Sequence, residues 1–321
     1  MADQVTTPTV TGTPAFGDAD RGPRLVEPGL IVRGLTKAYG RHCVLNALDL
    51  SISAATLAAV VGSNGAGKST LLGCIAGALR HEGSIRFGGS PLRAIPGQMS
   101  YLPQRIRLPG GATVDEVLAL FRALAGPAPD RASAPDGFVP AGQRRIAELS
   151  GGQAQRVALA GALFGAPRLV LLDEPHANLD DPAKDSLRDM LAAHRDAGAT
   201  ILVASPAAFD LLANADLVVR VEAGQVVYHG PAPAFLASLP VTIWVDLESS
   251  GSAADIEGIG LVTRTRIAGR WAALECREQD VSMVLDNLVD RGIGIDRIRI
   301  AGPGGGDLSA PPPDNTREAM P

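Results

Sequence analysis

Short apolar runs separated by helix-length stretches fill the middle of the chain. Residues 57–61 and 169–172 contain Leu, Ala and Val with no polar position, and 200–204 is apolar after its first threonine. A strand buried on both faces reads this way, whereas a half-solvated one alternates. Helices are predicted over 71–79, 114–124, from 149–153 to about 164, and over 182–197, with a shorter one at 207–213. Strands alternating with helices predict a mainly parallel sheet covered on both faces, an α/β fold. Before the first buried run, short strands are expected at 30–32 and 44–52, and another at 84–87 closing on two glycines. A hairpin at 217–221 and 225–228 ends this region, and a helical stretch is expected around 143–148.

After Pro240 the pattern changes. A strand at 241–247, a short helix at 253–257, strands at 261–267 and 271–276, a helix at 281–289 and a last strand at 295–300 follow in order. Strand, helix, strand, strand, helix, strand is the split βαβ order of a small ferredoxin-like α+β unit. The ends are rich in Pro, Gly and small polar residues without apolar period, so 1–28 reads as a disordered leader and 302–321 as a disordered tail. The expected division is therefore a main domain over 29–240, carrying a helical subdomain at about 105–165, and a C-terminal domain over 241–301. Residues 126–140, rich in Ala, Pro and Asp, read as a surface excursion.

Composition narrows the classes. Of 321 residues 46% are hydrophobic but only 4% aromatic, so the core is built from Ala, Val, Leu and Ile. A net charge of −5 argues against a broadly basic nucleic-acid surface. Cys43, Cys74 and Cys276 have neither metal-ligand nor disulfide-framework spacing; a reducing compartment and three small core residues are expected. No apolar run approaches the ~20 residues that span a bilayer, and the N-terminus lacks the basic-then-apolar order of a secretory signal. A chain soluble by itself is expected, with any membrane role supplied by a partner.

Chemistry concentrates at three places. Val60 and Val61 lead into Gly62-Ser63-Asn64-Gly65-Ala66-Gly67-Lys68-Ser69-Thr70. Between a strand and a helix, G-x-x-x-x-G-K-[ST] is a phosphate-binding loop. Its glycines let backbone N–H groups approach phosphate oxygens, and the helix start adds unpaired N–H groups and a positive dipole end. Lys68 reaches the β- and γ-phosphates, and the Ser69 hydroxyl is placed for Mg²⁺. The strand at 169–172 ends in Asp173-Glu174, two acids that a buried strand has no need of. Asp173 is positioned to hold Mg²⁺ and Glu174 to take a proton from an attacking water. Leu149-Ser150-Gly151-Gly152-Gln153 opens a helix with a small hydroxyl, two glycines and exposed N–H groups. Taken by itself, that stretch reads better as a Ser-capped helix after a flexible turn.

Together, in this order and spacing, the three motifs resemble the ATP-binding cassette (ABC) transporter ATPases over residues 30 to 240. The resemblance implies ATP and Mg²⁺ as cofactors, a P-loop nucleotide-binding domain, and catalysis by Glu174, Lys68 and Gln104. It implies that Tyr39 stacks on adenine, that Gln104 contacts Mg²⁺ or the water, and that Ser69, Gln104 and Asp173 form the metal set. Ser150, Gly151, Gly152 and Gln153 look like the family's signature, which caps ATP held by an opposite subunit, and Asp180 resembles the loop linking the two sites. Implied partners are a transmembrane permease subunit and a second ATPase subunit, with no nucleic acid, at the inner face of the cell membrane. One position departs: Pro206 stands where the family usually has a histidine contacting the γ-phosphate. Small C-terminal extensions and the segment 113–118 are similar to those of drug, lipid or polysaccharide exporters, and export is the expected direction. Tyr101-Leu102-Pro103-Gln104 also occurs in metal-ion importers. A soluble cassette protein without a permease and a non-hydrolysing regulator are the other classes.

Overall fold

The computed structural model describes residues 29–92, 98–125, 134–205, 214–247, 256, 259–268, 271–293 and 298–301. The leader, the tail, the helix expected at 207–213 and Pro206 lie outside the described residues. So do most of the helix expected at 253–257 and the first half of the excursion expected at 126–140.

A six-stranded sheet carries the site. In chain order its strands are β3 (Leu57–Val61), β6 (Met99–Leu102), β7 (Leu169–Asp173), β8 (Thr200–Ser205), β9 (Leu217–Glu222) and β10 (Gln225–Pro231). Their spatial order is β10-β9-β3-β8-β7-β6, parallel throughout except for the antiparallel β9–β10 hairpin. β3 shows why apolar runs are needed. Leu57, Ala59 and Val61 enter one core with α3 (Gly151–Ala162), α4 (Asp181–Asp196) and α5 (Ala232–Ser238). Ala58 and Val60 enter a second core with α1 (Lys68–Ile75) on the opposite face. With side chains alternating across the pleat, both faces are dry and no position tolerates polarity.

The second core is closed by a sheet that the periodicity did not separate from the first. β1 (Leu30–Tyr39), β2 (His42–Ile52), β4 (Glu82–Phe87) and β5 (Ser90–Pro91) form an antiparallel sheet of order β2-β1-β4-β5. The strand expected at 30–32 runs to Tyr39. Its register shifts between Val32 and Leu35, where Gly34 takes φ 59°, and such a bulge breaks the alternation on which sequence patterning depends.

The helical segment contains α2 (Val114–Ala125) and α3. The helix expected around 143–148 is only a short 3₁₀ turn, Ile146–Glu148. Its backbone is engaged elsewhere: Val114 N–H donates to the Arg144 carbonyl and Ile146 N–H to the Ala112 carbonyl. α5 is a helix that the pattern analysis missed; at seven residues it is too short for a clear period.

The C-terminal strands β11 (Pro240–Asp246), β12 (Arg264–Ala268), β13 (Trp271–Arg277) and β14 (Ile298–Ala301) form an antiparallel sheet of order β12-β13-β11-β14. Val241, Ile243 and Val245 face its core with Val284 and Leu288 of α6 (Val281–Asp290). Cys74 and Cys276 are buried as expected, but Cys43 is exposed, on the outer sheet near the β1–β2 turn. Among the described residues no helix is long and apolar enough to cross a membrane.

Candidate functional site

The 62–67 loop leaves β3 and delivers its chain into α1, whose N-cap is Gly67 at φ 105°. Two of its glycines are required by space as well as by backbone angle. A Cβ on Gly62 would stand 2.2 Å from the Val221 carbonyl oxygen, and one on Gly67 2.9 Å from Leu45 Cδ2. Lys68 is only 5% exposed, and its Nζ donates to the carbonyls of Gly62, at 2.7 Å, and Ser63, at 2.9 Å. Burial pushes its pKa down, opposed by the charges of Glu174 and Asp173. An ammonium held this way at the loop's mouth is short of anionic partners, which phosphate oxygens supply.

β7 lies beside β8, and Asp173 pairs in register with Ala204. Asp173 is 2% exposed. Its carboxyl is pushed above the usual range chiefly by burial and by Glu174, against the Ser69 hydroxyl, the Gln104 backbone N–H and Lys68, which hold it down. A carboxylate with a raised pKa costs stability once ionised, so that contribution worsens as pH rises above the ordinary Asp value. A cation at the carboxylate relieves the cost. Its Oδ1 is buried without a hydrogen-bond partner, and with the Ser69 hydroxyl beside it the donor set suits a hard divalent ion such as Mg²⁺. Among the described residues no group of three or more His, Cys, Asp or Glu forms a complete metal cage.

Glu174 has φ 50°, a strained setting for a residue with a Cβ, and its N–H donates to the Ala204 carbonyl at 2.8 Å. Strain of this kind turns the chain so that Glu174 lines a cleft of about 490 Å³. Asn64, Gly65, Gly67, Lys68, Ser69, Thr70 and Gln104 line it too. Sequence reasoning missed His42 and Val44, which also line it from alternate positions of β2. His42 is the cross-strand partner of Tyr39, a pairing that the register shifts of β1 hide from the sequence pattern. Tyr39 is 50% exposed at the same edge, with the Lys37 ammonium 4.7 Å from its ring centre.

A separate cleft, of about 360 Å³, is lined by Ser150, Gly152, Gln153, Arg156, Asn178, Leu179 and Asp180. A single chain therefore does not bring Ser150 to Gln153 into the cleft of the phosphate loop. Gln153 N–H donates to Ser150 Oγ at 3.2 Å and Ser150 N–H to Gln153 Oε1 at 3.1 Å, a reciprocal cap on α3. Arg144 also donates to Gln153 Oε1, at 3.3 Å. Asp180 caps α4 by accepting from Ala183 N–H at 3.1 Å. Gly151 has open space around it, but a Cβ on Gly152 would meet the Asn178 carbonyl oxygen at 2.3 Å. Gly152→Ala is thus expected to cost about 1–3 kcal/mol by overpacking, measurable as a lowered Tm, whereas Gly151→Ala leaves Tm nearly unchanged.

The two clefts and their sheet define a P-loop nucleotide-binding protein, with two acids at the end of the strand beside the loop. The family described as ABC transporter matches residues 45–177. The aliphatic sulfonates import ATP-binding protein SsuB 2 of Pseudomonas fluorescens is 37% identical over 212 residues, covering 65% of this chain and 79% of the relative. The zinc import ATP-binding protein ZnuC of Roseobacter denitrificans is 35% identical over 224 residues, covering 65% and 80%. A solved ATP-binding subunit of an ABC transporter superposes with a TM-score of 0.56 at 26% identity, covering 63% of this chain and 89% of that one. The chain belongs to the ABC transporter ATP-binding family.

Proposed function

We propose that the chain is the ATP-hydrolysing subunit of an ABC importer, peripheral on the cytoplasmic face of a membrane through a permease subunit. The observation that carries this reading is the convergence of Lys68, Ser69, Gln104 and Glu174 on the phosphate-loop cleft, with the buried, unpartnered Asp173 Oδ1 on the carboxyl beside Ser69 and Gln104. Residues 62 to 70 wrap the phosphates, and Lys68 exchanges its loop carbonyls for β- and γ-oxygens. Ser69, Gln104 and Asp173 would hold Mg²⁺, which when bound would neutralise phosphate charge. Glu174 accepts the proton of the attacking water, and Tyr39 with His42 and Val44 receives the base and sugar. Ser150 to Gln153 cap the nucleotide of a second subunit, which accounts for a second, separate cleft. ATP closes that dimer and hydrolysis reopens it.

Import is favoured over the export expected from the C-terminal extension, because the curated relatives above are named for sulfonate and zinc import. The C-terminal unit, 241–301, is proposed as a ferredoxin-like regulatory or dimerisation module beside an ATPase domain at 29–240 whose helical subdomain covers about 105–165. In inside-out vesicles carrying the co-purifying permease, ATP added outside should release a labelled alkanesulfonate or zinc from the lumen. ATP-driven accumulation in the lumen would restore the export reading.

A hydrolysis-impaired regulator is the second reading, and it rests on Pro206, which offers neither a donor nor a titratable group. Pro206→His is expected to raise basal ATPase activity, read as phosphate release by the purified chain. An unchanged rate would mean that another group already serves the γ-phosphate.

A further inference from the structure

Both helices that frame the second cleft are joined again at their far ends by one buried side chain. His194, in the last turn of α4, is 1% exposed. Its Nδ1 lies 2.7 Å from the Met190 carbonyl oxygen and its Nε2 3.1 Å from that of Leu163. Leu163 is the C-cap of α3, so its carbonyl is among those that a helix end leaves without an intrahelical donor. Both facing atoms are acceptors. A neutral imidazole has a single N–H and satisfies one of them; a ring with hydrogen on both nitrogens satisfies both.

The turn beyond Leu163 is tight. Gly165 and Ala166 have φ of 74° and 50°. A Cβ on Gly165 would stand 2.6 Å from Cβ of Ala125, the last residue of α2, and the Arg122 guanidinium lies 4.5 Å from the Phe164 ring centre. The chain thus leaves the helical segment through a turn pressed on α2, and His194 fastens α4 to that turn. His194 shares its face of α4 with Leu187, Met190 and Leu191. Residues 157–162 of α3 and all of β8 carry no charged side chain. Arg195 and Asp196 pair with each other, and Arg195 also with Asp216, at the surface.

We propose that His194 is a positioning residue, a two-donor pin that sets the angle of α3 against α4. Because α3 opens at Ser150 and α4 at Asp180, the pin governs how the second cleft is presented to a partner's nucleotide. The proposal rests on the ATP-closed dimer proposed above.

The test uses the full chain carrying Glu174→Gln, so that ATP is not consumed, with ATP-driven dimerisation followed by light scattering. His194→Leu keeps the bulk but leaves the Leu163 carbonyl unpaired. It should raise the ATP needed for half-maximal dimerisation by about 3- to 10-fold over the parent, the worth of one hydrogen bond. His194→Gln, whose amide has two N–H donors, should restore the affinity. A leucine variant that matches the parent, or a glutamine variant that fails to rescue it, overturns the pin. Should neither variant fold, ¹⁵N-histidine NMR of the unmutated chain decides: two N–H signals from His194 support the pin, and a single one overturns it. A parent that shows neither an ATP-induced Tm shift nor dimerisation would instead remove the ATPase reading, and the NMR arm still judges the pin.

Discussion

Glu174→Gln should lower ATP turnover by ~10²–10⁴, the usual worth of a positioned general base, while ATP still binds. The substitution keeps the size of the side chain and removes only the carboxylate. Glu174 sits at φ 50° with its N–H on the Ala204 carbonyl, and glutamine meets the same backbone strain as glutamate, so the fold carries over. Electrostatics predict a second consequence. The Glu174 charge is one of the influences that push the Asp173 carboxyl up, and it faces the same cleft as the incoming phosphates. Its removal relieves repulsion towards ATP, so the variant should bind nucleotide as tightly as the parent or more so. Single-turnover hydrolysis and the ATP-dependent Tm shift, measured on one preparation, separate the two effects. Retained turnover would take the base role away from Glu174.

The site was legible in the sequence because its parts are covalently close. Gly62 to Thr70 is one loop, and Asp173-Glu174 is one dipeptide at the end of a run that has no polar position. Gln104 was placed only by resemblance, and its physical reason emerges in the fold: β6 runs parallel to β7, so the residues just beyond Leu102 emerge beside Asp173. His42 and Val44 were missed because they act through alternation across the β1–β2 hairpin, and the register shifts of β1 hide that period. The outer antiparallel sheet was obscured for the same reason. Cys43 was expected in the core, yet it lies near that hairpin's turn, where the strand meets solvent. His194 had no sequence signal at all. A histidine among Leu and Ala near a helix end gives no hint that a carbonyl 31 residues earlier in the chain lies within hydrogen-bonding distance.

Lys68→Ala should abolish the stabilisation of the protein by ATP. At a ligand concentration a thousandfold above Kd that stabilisation is about 4 kcal/mol, a rise on the order of 10 °C in Tm for a domain of this size. The ligand-free variant should lose little stability, and this is the informative half of the result. Lys68 is buried with its pKa pushed down. A lysine whose folded pKa lies below its unfolded value costs stability while charged, a cost relieved progressively as pH rises from the folded value to the unfolded one. Alanine removes that cost together with two hydrogen bonds to loop carbonyls, and the opposing changes partly cancel. A residue kept charged in a buried loop against its own solvation is retained for what it binds. A flat response to ATP beside a near-parental Tm without ATP is therefore the signature expected of a phosphate ligand. A variant that still gains several degrees from ATP would move the nucleotide away from this loop, and with it the proposed roles of Asp173 and Glu174.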